Sequence, residues 1–283
     1  MSMTTPCSNT PEGHRIPFDG IENARSLDGI PMRDGRLIRQ GMLVRSGNLS
    51  RASDSDVAIL KGRFRLSDIF DFRFDSEAAA DPDRQIEGVR NTRLSTLPRK
   101  MIEGFSSGRT DTEQVKSSDF AEALVSYAFI PQAQELARQL YPAIVSDDIS
   151  RQRYGTFLRG VLDAKGGVLW HCSQGKDRAG WATAFVLAAL GADRKTIVED
   201  FSLSNDFYAT YVKTLSERVA RNGGGLQEIT FIRSMIGVSV ENFERTLDLI
   251  DDRYGSLAAY LEKALGFTAR EQELLQDKYL TRP

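Results

Sequence analysis

The chain has 283 residues, 41% of them hydrophobic and 27% charged, enough to bury a real core in one large domain or two small ones. Its formal net charge of −2 provides no global basic field for nucleic acid or an anionic membrane, so any anion specificity must be local. The two cysteines, Cys7 and Cys172, exclude a disulfide framework and a multi-cysteine zinc site and fit a reducing compartment.

Residues 1–17 are rich in Ser, Thr, Pro and Gly and read as a flexible tail, in which Cys7 and His14 have no evident role. The start "MSMTTPCSNTPEGHR" lacks a basic segment followed by an apolar one, and no run approaches the length of a membrane span. A cytoplasmic protein without stable membrane insertion is expected; export that bypasses a signal peptide leaves no mark in a sequence. Residues 18–283 read as one domain. "GMLVRSGNL" predicts a strand running into a turn, "SRASDSDVAILKG" a capped helix, "LSDIFDFRF" a short strand and "GVRNTRLS" another. Strands alternating with helices predict an α/β fold: a short, mainly parallel sheet flanked by helices.

Residues 104–118 are polar. The apolar helical stretch that follows holds Pro131 and Pro142, which should break or kink it. Ala133, Leu136, Ala137, Leu140 and Tyr141 form one stripe, which fits either core packing or a helical lid over a site. "ISRQRYGTFLRGVLDAKGG" predicts a helix closed by Gly166. The strand "VLWHC" then ends in a polar loop, and an almost wholly apolar helix begins near Arg178. Helical patterns recur at 193–203, 205–221, 239–252, 255–264 and 268–280, with "RNGGG" at 221–225 as a loop.

In a parallel sheet, ligands gather at the carboxyl ends of strands, where Cys172 sits. The loop Ser173–Gln174–Gly175–Lys176–Asp177 leads into a helix N-terminus, whose unpaired N–H groups and partial positive charge can cradle an anion. Gly175 lets the backbone bend, and the positive field favours a thiolate at Cys172. Arg178, closing a Cys-x5-Arg spacing, can hold two oxygens of a phosphate through its planar fork. The arrangement suits in-line attack by sulfur on a held phosphoryl group. Its negative transition state is met by N–H groups and a guanidinium, so no metal or cofactor is called for. A leaving oxygen needs a proton, and Asp177 is the first candidate donor. Asp71 and Asp75 are alternatives, sharing one strand face with Arg73 by alternation, although Asp71 with Arg73 reads better as an ion pair supporting the loop. Strand alternation points His171 away from Cys172, toward an orienting role. Arg45, at another strand end, could meet substrate charge, and Asn205 reads as a cap or turn residue. Lys176 adds positive charge at the rim.

"HCSQGKDRAG" resembles the signature of cysteine-dependent protein tyrosine phosphatases, above all the atypical bacterial branch whose loop reads HCxxGKDR followed by Thr-Gly. "NARSLDG" at 23–29, "GMLVRSGNLS" at 41–50, "DFR" at 71–73 and "IDDRYGSLAAYLEKALGFT" at 250–268 are similar to other segments of that branch. The resemblance spans roughly residues 20–280. It implies hydrolysis of phosphotyrosine through a phosphocysteine, with phosphoserine, phosphothreonine or phosphoinositides as further substrates and phosphate as product. It also implies a helical lid insertion, at about 105–145. Lys176 could then accommodate extra phosphates. Two positions depart from the pattern. Ala179 stands where the branch has a Thr or Ser hydroxyl that helps the sulfur leave, which suggests slower turnover or a phosphate-binding pseudophosphatase. Ser26 stands where the branch has Asp. Sulfur transfer is a weaker third reading, because rhodanese-like enzymes also place a Cys loop at a strand–helix junction.

Overall fold

The computed structural model describes residues 14–97 and 117–282. Five strands form one sheet: β1 (Arg25–Ser26), β2 (Leu43–Ser46), β3 (Leu66–Asp71), β4 (Arg90–Arg93) and β5 (Gly167–His171). Their order is β1-β2-β5-β3-β4; β1 is antiparallel to β2 and the other pairings are parallel. β5 is central and buried along its length. Its alternation serves two cores. Val168, Trp170 and Cys172 face the larger one, while Leu169 joins a smaller one with Val44, Ile69, Leu60 and Phe64.

Helices α1 (Asp54–Gly62) and α2 (Asp75–Ala80) follow β2 and β3. α3 (Ser117–Tyr127), α4 (Pro131–Ser146) and α5 (Asp148–Asp163) lead from β4 to β5. After β5 come α6 (Asp177–Leu190), α7 (Arg194–Ser202), α8 (Ser204–Arg221), α9 (Leu226–Ile236), α10 (Val240–Tyr254), α11 (Leu257–Lys263) and α12 (Ala269–Tyr279). α6 is buried from Arg178 to Leu190, as its almost wholly apolar sequence requires, and Gly191 ends it at φ +92°. None of the described helices is long and apolar enough to cross a membrane.

The structure revises several expectations. Arg15 bridges to Arg25 and Ile16 is buried, so the chain is held against the sheet from within the expected tail. β3 ends at Asp71, and Asp75 opens α2 with its side chain almost fully exposed, so the two do not share one strand face. Gly166 does not cap α5, which ends at Asp163; a Cβ there would lie 2.3 Å from the Arg65 carbonyl, so the glycine permits close backbone approach. Pro131 sits at the helix start, where a missing N–H costs nothing. Pro142 does not break α4. The carbonyl it leaves unpaired, that of Arg138, accepts a hydrogen bond from Asn242 Nδ2 at 3.0 Å. The sequence reading passed over α9, which packs with α3 and α8 around Leu124, Leu215, Val219, Phe231 and Ile232 in a third cluster. The segment 105–145 lies partly outside the described residues. Within it, α3 joins that third cluster, whereas α4 sends Tyr141 and Ile144 into the main core.

Candidate active site

The loop from Cys172 to Arg178 is shaped by what holds its carbonyls. The Ser173 carbonyl accepts from Asn48 N and Nδ2, both at 3.2 Å. That of Gln174 accepts from Asn23 Nδ2 at 3.0 Å and Tyr208 Oη at 2.8 Å. Arg45 Nη2 takes the carbonyls of Gly175 at 2.8 Å and Lys176 at 3.1 Å. With successive carbonyls drawn outward, the N–H groups of residues 173–178 find no acceptor among the described residues, and together with the start of α6 they make a concave run of donors. Gly175 is required: its φ is +68°, and a Cβ would lie 2.3 Å from the carbonyl carbon of Ser46. Cys172 is 2% exposed and unpaired as a thiol.

Arg45 is buried and cannot meet substrate charge. Its Nη1 lies 2.6 Å from Asp200 Oδ2, and Asp200 also binds Arg25 Nε at 3.0 Å. Burial, with the like charge of Arg25, lowers the Arg45 pKa to about 10 against the pull of Asp200, which still leaves it protonated at neutral pH. The two paired carboxylate oxygens of Asp200 thus carry the pair of arginines beneath the loop.

Arg178 is 8% exposed, but its terminal fork faces a carboxylate. Nη1 and Nη2 reach Glu77 Oε2 and Oε1 at 2.6 and 2.8 Å, Nη1 also reaches the Phe72 carbonyl, and Nη2 reaches Ser173 Oγ at 3.3 Å. Ser173 Oγ in turn donates to Glu77 Oε1 at 2.7 Å. A guanidinium this buried demands a counter-charge, and no local pattern points to Glu77, the third residue of a short helix, as its source. Burial alone would raise the Glu77 pKa, yet the hydrogen bonds and charge of Arg178 bring it down to about 2. Burial likewise opposes the charge on Arg178, while Glu77 and Cys172 raise its pKa above the ordinary value.

Asp177 is 18% exposed at its side chain, and its Oδ1 accepts a hydrogen bond from Tyr141 Oη at 2.7 Å. Lys176 does not project from the rim. It is 5% exposed, and its Nζ donates to the carbonyls of Met235 and Gly237 at the end of α9, with Asp177 Oδ2 3.6 Å away. Asp71 and Arg73 form the expected buried pair: Arg73 Nε lies 3.0 Å from Asp71 Oδ1, and Nη2 reaches Asp83 at 2.6 Å. His171 faces this group, with Nε2 3.2 Å from Asp83 Oδ2, and its Nδ1 lies 3.1 Å from the Cys172 carbonyl. Ligand atoms of Asp71, Asp83 and His171 approach within 4.8 Å of one another, but Arg73 already bonds both carboxylates, so the cluster is an ion-pair buttress under the strand end. Ala179 is fully buried and its carbonyl accepts from Thr183 Oγ1. Asn205 links α8 to Val238 through both its amide atoms.

The residues that sequence reasoning missed are Asn23, Arg25, Asn48, Glu77, Tyr141, Asp200 and Tyr208. Asn23, Arg25 and Asn48 lay in segments whose resemblance was noted without a role. Tyr141 was read only as part of an apolar stripe, and Glu77, Asp200 and Tyr208 carry no local signal, because each acts from a distant helix. A cleft of about 730 Å³ beside Gln174, lined in part by Phe18, Glu22, Phe207, Tyr208 and Tyr211, was also unforeseen.

Residues 16–281 match the tyrosine phosphatase family. The chain belongs to that family. A Cupriavidus necator protein that bears the name of a tyrosine-protein phosphatase is 29% identical over 252 residues, covering 89% of this chain and 84% of that one. The triple specificity protein phosphatase PtpB of Mycobacterium tuberculosis is 36% identical over 112 residues, 37% of this chain and 41% of that protein. Among solved structures, P. aeruginosa TpbA aligns with 17% identity and a TM-score of 0.28 over 71% of this chain and 89% of its own. This phosphatase is therefore a phosphoric monoester hydrolase that takes a phosphorylated substrate and releases phosphate.

Proposed function

We propose that the chain hydrolyses phosphotyrosine in proteins through a phosphocysteine at Cys172, in two steps and without a metal or cofactor. In the first step the Cys172 thiolate attacks phosphorus, the S–P bond forms, the P–O ester bond breaks, and Asp177 gives its proton to the leaving phenoxide. In the second, Asp177 takes a proton from water, which attacks phosphorus; the S–P bond breaks and phosphate departs. The N–H groups of residues 173–178 receive the equatorial oxygens. The Nε–H of Arg178 is the donor of that side chain left without a protein partner among the described residues, and it completes the set while Glu77 keeps the guanidinium plane fixed. The observation that carries the reading is that each carbonyl from Ser173 to Lys176 is held by a side chain while the N–H groups of the same loop, next to Cys172, have no acceptor among the described residues, which supports their meeting an anion there.

Protein substrate is favoured over a phosphoinositide because the Lys176 ammonium is spent on the Met235 and Gly237 carbonyls. The cleft beside Gln174 sets Asp19 and Glu22 against Arg15, beside the rings of Phe18, Phe207, Tyr208 and Tyr211, a poor lining for a headgroup bearing several phosphates. The resemblance of the loop makes phosphoserine, phosphothreonine and phosphoinositides the substrates to compare, and one relative is named for triple specificity. The test is a panel of phosphotyrosine peptides, phosphoserine peptides and phosphoinositides assayed in chelator. Phosphotyrosine turnover that vanishes in Cys172→Ser is expected; turnover that survives the substitution, or that needs a divalent ion, overturns the reading.

Ala179 supports a second reading, in which the second step is slow and the protein acts mainly by holding phosphorylated partners. A stoichiometric burst followed by weak steady turnover, relieved in Ala179→Thr, would favour it. Steady turnover from the first cycle, unchanged by that substitution, would remove it.

A further inference from the structure

We propose that Tyr141 is a positioning residue for the proton transfer, holding one oxygen of Asp177 so that the other carries the proton to the leaving group; this rests on the reading of Asp177 as the general acid. Tyr141 comes from α4, outside the loop and outside the strands that frame it. Its hydroxyl donates to Asp177 Oδ1 at 2.7 Å, a length typical of a strong charge-assisted bond. The ring is 2% exposed and fixed edge-on to Trp181 and Phe201 at 6.2 and 5.6 Å. Phe201 stacks on Phe243 at 3.8 Å, so the phenol has little freedom to swing away.

A carboxyl group with one oxygen engaged as an acceptor cannot spin about its Cβ–Cγ bond without losing that bond. Tyr141 therefore assigns the two oxygens: Oδ1 accepts, and Oδ2 is the atom that bears the proton. The groups facing the carboxyl fit this division. Lys176 Nζ stands 3.6 Å from Oδ2 but is tied back to the carbonyls of Met235 and Gly237, so it supplies field without occupying the oxygen. The phenol cannot exchange roles with the acid, since burial and then the neighbouring Asp177 raise its pKa well above the ordinary value, which keeps it a donor throughout turnover. α4 is itself anchored at the preceding turn, where Asn242 caps the carbonyl freed by Pro142.

The experiment compares Tyr141→Phe, Asp177→Asn and the double variant on aryl phosphates of different leaving-group basicity, phenyl phosphate and p-nitrophenyl phosphate, with inorganic phosphate as a competitive inhibitor. Protonation matters most for the basic leaving group, and general acid catalysis contributes about 10²–10⁴-fold. Tyr141→Phe is expected to lower kcat/KM, which reports only the steps up to formation of the phosphocysteine, roughly 10-fold on phenyl phosphate and by no more than about 2-fold on p-nitrophenyl phosphate, with the inhibition constant of phosphate unchanged. In the Asp177→Asn background the same substitution should have no further effect. Equal losses on both substrates, or a full effect added to that of Asp177→Asn, would make Tyr141 a packing residue and overturn the proposal. If Asp177→Asn itself leaves the leaving-group dependence unchanged, the general-acid reading falls instead. Melting temperatures close to that of the parent, expected because Phe fills the same space, keep a folding defect from being mistaken for either result.

Discussion

Glu77 holds the guanidinium of Arg178, which closes the candidate anion site. Its folded pKa, about 2, lies below the ordinary value of 4.5. The stability it contributes is therefore fully present above about pH 4.5 and is lost as pH falls toward 2. Glu77→Gln should destabilise the protein by about 1.5–3 kcal/mol near neutral pH, the range for hydrogen bonds to charged groups. The gap in melting temperature between it and the parent should narrow steadily below pH 4.5; a gap that stays constant between pH 3 and 7 would contradict this. Gly175 gives a sharper expectation. With φ at +68° and Ser46 in the way of any Cβ, Gly175→Ala strains the loop by about 1–3 kcal/mol, and hydrolysis should fall by more than about 100-fold. Near-parental activity would show that the amide cradle is not the working part.

At the scale of elements, the loop owes its shape to four separate pieces of chain. Asn23 comes from the segment before β1, Arg45 from β2, Asn48 from the turn after it, and Tyr208 from α8. The sheet order explains why they meet: β5 lies between β2 and β3, so the carboxyl end of β2 sits beside the loop and that of β3 brings Asp71, Arg73 and then Glu77 to its other side. α4 shows how a local rule is met by a distant residue. Pro142 strips the Arg138 carbonyl of its partner and Asn242 replaces it. Asn242→Ala should cost about 1 kcal/mol, and the cost should shrink in a Pro142→Ala background, where the backbone N–H is restored. A double-mutant cycle by denaturant titration measures the coupling; purely additive effects would contradict the compensation.

Across the whole molecule, the active site stands on a buried charge network. Asp200 is 6% exposed and joins Arg25 and Arg45. Asp200→Asn removes the negative charge and leaves two buried arginines facing each other, so a loss of about 3–5 kcal/mol is expected by urea denaturation. Because Arg45 also carries the Gly175 and Lys176 carbonyls, any folded remainder should hydrolyse poorly; a loss below about 1 kcal/mol would show the network to be dispensable. Four of the five strands, most of the helices and the Cys172–Arg178 loop were legible in the sequence because they rest on local patterns: alternation along β5, the apolar run of α6, and a short spacing around a glycine; β1 (Arg25–Ser26) is too short to carry one. Helix α9 was passed over because it directly follows the glycine-rich run at 221–225, read as a loop. Glu77, Tyr141, Asp200 and Tyr208 were not legible because their roles arise only when remote segments close on the loop. Lys176 was misread for the same reason, since nothing local reveals that the end of α9 would offer it carbonyl oxygens.

If sulfur takes the phosphoryl group in a cradle of tethered backbone, the phosphocysteine itself can be trapped. The full chain is mixed with an aryl phosphate in chelator, quenched in acid within the first turnover, digested, and analysed by peptide mass spectrometry. A phosphoryl group on Cys172 is expected, absent in Cys172→Ser and longer-lived in Asp177→Asn, where water loses its base. Product formed with no phosphopeptide at any quench time, or phosphate carried on a residue other than Cys172, would contradict it.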